Sequence, residues 1–160
     1  MKHVTLIAFI FLSLAANAQD KVNLYNPNAD ARADLRNAIA LANNQNKHVL
    51  VQIGGNWCSW CTRLHQFIEA DTKIDSLLKA DYVLVRINYS PENKNPEVLA
   101  QLDYPQRFGF PVLVILDGTG KRLHTQDTGY LELDKGYDPE KVNRFLLNWS
   151  VKATDPNSYK

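Results

Sequence analysis

The sequence predicts an α/β domain, a mixed sheet of four to five strands with helices on both faces. Three observations predict it. Apolar, β-branched runs at 48–53, 82–88 and 112–116 have the composition of buried strands. Helical sequence separates the first two, which makes them parallel neighbours joined by a right-handed crossover. Asp117-Gly118-Thr119-Gly120 after the third is a hairpin signal, so the strand that returns over 121–125 is antiparallel.

The elements follow in order. A polar lead, 19–28, contains Val22-Asn23-Leu24, read as a short edge strand. Apolar or small residues at Leu35, Ala38, Ile39 and Ala42 repeat at helical spacing. Asn28 or Asp30 is the N-cap of that helix, and the Asn43-Asn44-Gln45-Asn46 cluster ends it. After the 48–53 strand, Gly54-Gly55-Asn56 breaks the chain. Trp57 to Cys61 then opens a helix with Cys61, Leu64, Phe67 and Ile68 on one side. A second short helix runs from Asp71 through Ile74, Leu77 and Leu78. Beyond the 82–88 strand, Pro91–Pro96 is a polar loop and Glu97 to about Arg107 is helical. Asp138-Pro139-Glu140 starts the last helix, with proline in its first turn and Val142, Phe145, Leu146 and Trp149 facing inward. No pattern fixes the form of Tyr130–Tyr137, which is read as a lid or a surface loop. Residues from Thr154 onward read as a frayed tail.

The chain has 160 residues, 45% of them hydrophobic and 22% charged, with a formal charge of +1. That balance is globular, and the absence of a Lys/Arg run argues against nucleic-acid or anionic-membrane binding. Met1-Lys2-His3, the apolar run Val4–Ala16 and the small-x-small site Ala16-Asn17-Ala18 have the layout of a secretory signal peptide. Residues 1–18 are therefore expected to be removed and 19–160 to form one domain, exported to a periplasm or beyond the cell. No later apolar run approaches the ~20 residues of a membrane span. Oligomeric state is not legible.

Two cysteines, Cys58 and Cys61, are the whole thiol content. A bridge closing so short a loop removes little unfolded-state entropy, so the pair points to chemistry more than to stapling. Its place between a strand and a helix has a physical logic. The helix start presents unpaired N–H groups and roughly half a positive charge, which favours a thiolate at Cys58; in such motifs thiol pKa values fall from ~8.5 to about 3.5–7.5. Cys61, one turn on, is in reach to close a disulfide, so the pair suits two-step exchange. A zinc half-site with Cys58, Cys61 and His65 and an inert packed pair are the competing readings. Zinc sites ordinarily close with four ligands, and no further cysteine exists to help; the expectation is no metal.

The segment Val49-Leu-Val-Gln-Ile-Gly-Gly-Asn-Trp-Cys-Ser-Trp-Cys61, with Trp before the first cysteine, resembles the active-site segment of the thioredoxin superfamily, in the form of an exported bacterial thioredoxin-like protein. Phe110-Pro111, ahead of the third strand, resembles that family's cis-proline loop. The similarity runs from about Asp30 to Trp149. It implies a thioredoxin-like sheet, an exposed nucleophile at Cys58, a resolving thiol at Cys61, and a loop at Phe110 and Pro111, its X–Pro bond cis, that lies against the disulfide and hydrogen-bonds a bound peptide. Ser59-Trp60 replaces the usual Gly-Pro, so redox poise does not transfer. Gln52 stands where the family often buries an acid that deprotonates the resolving cysteine, and Arg86 near the place of that acid's lysine partner.

Trp57 and Trp60 flank the motif as an apolar lip for substrate or pack inward beside Leu64 and Phe67. His65 is a candidate for proton transfer or an ordinary helix residue. The expected function is thiol–disulfide oxidoreduction on cysteine-containing proteins, with a partner dithiol or disulfide protein as electron donor or acceptor. No cofactor is expected beyond the Cys58–Cys61 disulfide itself. A non-enzymatic peptide-binding module on the same scaffold is the alternative.

Overall fold

The computed structural model describes residues 23–160. The expected signal peptide, 1–18, lies outside them. Helix α1 (Ala31–Gln45) begins at Asp30, whose carboxylate accepts the Arg32 and Ala33 N–H groups, and stops at Asn46, which turns left-handed at φ 52°. Strand β1 (His48–Gly54) is buried at every position, as its unbroken apolar run requires. Helices α2 (Ser59–Ala70) and α3 (Thr72–Asp81) share Asp71, which ends one and caps the next.

Strand β2 (Tyr82–Asn88) leads to α4 (Pro96–Gln101), a 3₁₀ turn over Pro105–Phe108, and the hairpin β3 (Val112–Leu116) and β4 (Arg122–Asp127). A 3₁₀ turn at Thr128–Leu131 and the small ribbon β5 (Glu132–Leu133) and β6 (Gly136–Tyr137) precede α5 (Pro139–Asn148) and α6 (Val151–Thr154).

The main sheet has the order β2-β1-β3-β4, with β1 parallel to β2 and antiparallel to β3. The parallel pair and the hairpin read from the sequence both form. One face carries α1 and α4 over Leu35, Val49, Val51 and Val114. The other carries α2, α3 and α5 over Leu50, Leu64, Ile115 and Phe145. Side chains alternate faces along β1, so a single strand feeds both layers and its C-terminal end delivers the chain to the cysteines.

Three expectations fail. Asn23 and Leu24 form no edge strand; the Tyr25 N–H and C=O are instead bonded by the Asn56 side chain, at 3.0 and 2.8 Å, and Val22 lies outside the described residues. The helix expected to reach Arg107 ends at Gln101, because Asp103 and Tyr104 turn left-handed ahead of Pro105, and a residue before proline avoids the helical region. The tail is not frayed throughout: Asp155 caps a 3₁₀ turn over Pro156–Tyr159, and the Tyr159 hydroxyl donates to the Ala153 carbonyl. Tyr130–Tyr137, left open by the sequence, holds the ribbon and brings the buried Tyr137 ring onto Trp60 and Phe67.

Candidate active site

Gly54 and Gly55 end β1 where there is no room for a side chain. A Cβ on Gly55 would strike the Trp57 indole, and one on Gly54 would strike Cys61 Sγ and fall 2.7 Å from the Tyr25 hydroxyl oxygen. The Cys58 N–H donates to the Gly55 carbonyl, tightening the turn. Cys58 is then the N-cap of α2, in extended conformation. Its sulfur accepts the Cys61 N–H at 3.1 Å, as a serine or aspartate oxygen does at other helix starts.

The two cysteines are joined as a disulfide with Cα atoms 5.3 Å apart, inside the usual range. Cys58 keeps 5% exposure and Cys61 none. The resemblance implied an exposed nucleophile; here Tyr25 and Phe110 pack around the pair and leave only a sliver of Cys58 open.

Phe110–Pro111 is a cis bond. The Phe110 ring meets Trp57 edge-on at 5.4 Å and stacks on Tyr89 at 4.7 Å. Trp57, 56% exposed, fixes its indole by donating to the Tyr89 carbonyl at 2.7 Å. Of these rings Phe110 packs against the cysteines and Trp57 and Tyr89 extend the wall from it, and beside Trp57 a cleft of ≈ 550 Å³ opens between Asn56, Tyr89, Pro91 and Lys94. The Pro111 carbonyl accepts from the buried Thr128 hydroxyl at 2.6 Å, whereas the Phe110 main chain has no hydrogen bond among the described residues. The main-chain groups of this loop left without a hydrogen bond are therefore those of Phe110.

The other predicted site residues are less central. Trp60 is half-buried and edge-on to Tyr137, with the Arg63 guanidinium over its ring, so it packs inward more than it forms a lip. His65 pairs with Glu69 at 3.3 Å and lines a separate groove with Leu41 and Arg86. Among the described residues no cluster of His, Cys, Asp or Glu is gathered to hold a metal ion.

Two residues the sequence did not mark belong to the site. Tyr25 is 3% exposed, packs with both cysteines, and accepts a hydrogen bond from Gln52 Nε2 at 2.9 Å. Burial holds its phenol well above the ordinary range, against the opposing pull of Arg86 and the Gln52 bond. Asn56 grips the Tyr25 main chain and ties it to the cysteine loop. Arg86 pairs in register with Gln52, and its buried Nε has no hydrogen-bond partner among the described residues. Only the position of Asn56, directly after Gly54-Gly55, hinted at a role.

A family model described as thioredoxin-like matches residues 30–118. The chain belongs to the thioredoxin-like family. Among solved structures, this thioredoxin-like chain resembles a disulphide isomerase from Xylella fastidiosa Temecula1, at 24% identity and a TM-score of 0.70, over 79% of this chain and 96% of that one. It also resembles a DsbH oxidoreductase, at 21% identity and a TM-score of 0.50, over 73% and 79%. At such identities the likeness speaks for the fold. No curated protein matches the chain.

Proposed function

We propose that this thioredoxin-like protein is a thiol–disulfide oxidoreductase acting on cysteine-containing proteins, with Cys58 as nucleophile and Cys61 as resolving thiol. The observation that carries the reading is the Cys58 sulfur at the N-cap of α2, accepting the Cys61 N–H, with the second sulfur already in bonding position. A hydrogen-bond donor and a helix start aimed at one sulfur stabilise its anion.

In the reducing direction the Cys58 thiolate attacks a substrate disulfide. One substrate sulfur leaves as a thiolate and the other is held in a mixed disulfide. The Cys61 thiolate then attacks Cys58 Sγ, the second substrate sulfur leaves with the electron pair, and the protein ends as the disulfide. Two electrons have passed from the pair to the substrate, and a partner dithiol returns them. In the oxidising direction each step reverses. The Trp57–Phe110–Tyr89 wall takes an extended segment, with the Phe110 main chain as its hydrogen-bonding edge. The pair is its own redox carrier, and no further cofactor enters these steps.

The same reading sends the chain out of the cytoplasm, with residues 1–18 removed, to a compartment where disulfides persist. The test uses the protein recovered from the exported fraction, whose N-terminal sequence should start at Gln19. It should reduce insulin in the presence of dithiothreitol, Cys58→Ser should fall to the uncatalysed rate, and Cys61→Ser should trap a mixed disulfide with substrate. Equal rates for wild type and Cys58→Ser would leave a peptide-binding module instead. Equilibration with glutathione buffers then reads the potential that sets direction.

A further inference from the structure

We propose, resting on the exchange assigned to Cys58 and Cys61, that the Tyr25 hydroxyl is the hydrogen-bond donor that holds the Cys61 sulfur as a thiolate during resolution. Cys61 is fully buried, so water is not at hand to solvate an anion there, and a buried charge without a donor is strongly disfavoured. Its resolving step nonetheless requires the anion. Some fixed group must face that sulfur.

Tyr25 fits the requirement from three directions. Its hydroxyl oxygen and Cys61 Sγ converge on the vacant space at Gly54, where a Cβ would strike both. Its oxygen accepts the Gln52 amide N–H at 2.9 Å, which leaves the phenol hydrogen available for another acceptor. Its main chain is clamped by Asn56 at both N–H and C=O, so the ring is positioned by the same loop that carries the cysteines. Gln52, an amide, takes no proton. The phenol, kept protonated by burial, acts as a donor and never as the base.

A disulfide sulfur is a weak acceptor and a thiolate a strong one, so the bond belongs to the mixed-disulfide and reduced states. In the mixed disulfide the Cys61 S–H gives up the proton that the departing substrate sulfur takes up, and the phenol O–H donates to the thiolate that forms. The thiolate attacks Cys58 Sγ, the bond from Cys58 to substrate breaks, and the electron pair leaves on the substrate sulfur, which takes up a proton. Tyr25 keeps its own proton throughout. Among the described residues the other charged or titratable groups facing this pocket are Cys58 at the N-cap of α2, Arg86 on β2 and Tyr137 on β6.

The experiment titrates Cys61 alone, by thiolate absorbance in Cys58→Ser, with and without Tyr25→Phe. Losing a hydrogen bond to a charged sulfur should raise the midpoint by about one pH unit, a tenfold loss of thiolate at fixed pH. In the otherwise wild-type protein, Tyr25→Phe should slow resolution about tenfold, so that the substrate–Cys58 mixed disulfide accumulates. A fluorinated tyrosine at position 25 keeps the packing and donates more strongly, so it should lower the Cys61 midpoint; it also serves if Tyr25→Phe does not fold. Equal midpoints with tyrosine, phenylalanine and fluorotyrosine overturn the proposal. Failure of the wild type to reduce insulin would instead remove the exchange reading, and the Cys61 titration would still report on Tyr25.

Discussion

At the scale of single residues, the site is built by close approaches that leave little freedom to the side chains involved. Gly54 is where the Cys61 sulfur and the Tyr25 hydroxyl converge, and neither can retreat, because one is bonded to Cys58 and the other to Gln52. Gly54→Ala should therefore destabilise the protein by about 1–3 kcal/mol, the usual cost of inserting a methyl into a packed interior. The urea midpoint should fall with an unchanged slope; an unchanged midpoint would mean that the packing gives way freely. The Cys58–Cys61 pair was legible because its residue type and spacing carry the chemistry locally, and the cis Phe110–Pro111 bond because the resemblance implied it. Tyr25 and Asn56 were not, because each acquires its role from a partner about thirty positions away in the chain, and no local pattern records such a pairing. Trp60 was ambiguous for a related reason: its inward packing is decided by Tyr137, which the ribbon delivers from the far end of the sequence.

At the scale of elements, the sequence was most informative where caps and periodicity agree. Asp30, Asp71 and Asp138 each accept N–H groups at a helix start, and strands formed where the three apolar runs lie, although β2, expected to be buried, is an edge strand only half-buried over Val83–Arg86. The errors came from long-range competition. Residues 22–24 were read as a short edge strand, yet Tyr25 is held by the Asn56 side chain and makes no ladder. Helical composition to Arg107 was overridden by Pro105 and two left-handed residues before it. The hairpin between β3 and β4 shows a local signal that succeeded: Asp117 Oδ1 accepts from the Thr119 N–H, the Thr119 hydroxyl and the Lys121 N–H. Burial works against that charge, but the Thr119 hydroxyl and the main-chain donors outweigh it and hold the carboxyl below its ordinary 3.8. A depressed folded-state pKa contributes stability that is fully present above the unfolded value and is lost as pH falls through the folded one. The stability difference between wild type and Asp117→Asn should accordingly be constant above about pH 5 and shrink as the pH drops below the ordinary aspartate range. Urea midpoints measured across that range check it, and a difference independent of pH would rule out the charge as its source.

At the scale of the molecule, two apolar layers share one sheet. Val49, Val51 and Ile53 of β1 belong to the α1 layer, and Leu50 to the α5 layer. With β1 paired on both edges, neither layer can lose its packing without disturbing the strand that serves the other. The layers should then unfold as one unit. Leu35 on α1 is 1% exposed in the first layer, while Trp60 and Trp149 pack against the second. Leu35→Ala removes buried methyl groups and leaves a cavity, at a cost of about 2–5 kcal/mol. If the sheet couples the layers, tryptophan fluorescence read in a Trp57→Phe background, where Trp60 and Trp149 are the tryptophans left, should report that loss in full although the substitution lies across the sheet from both. Far-ultraviolet circular dichroism should give the same lowered midpoint. Separate fluorescence and dichroism transitions would show instead that the α1 layer opens alone, and the site would then rest on the α2–α5 side of the sheet without needing the other.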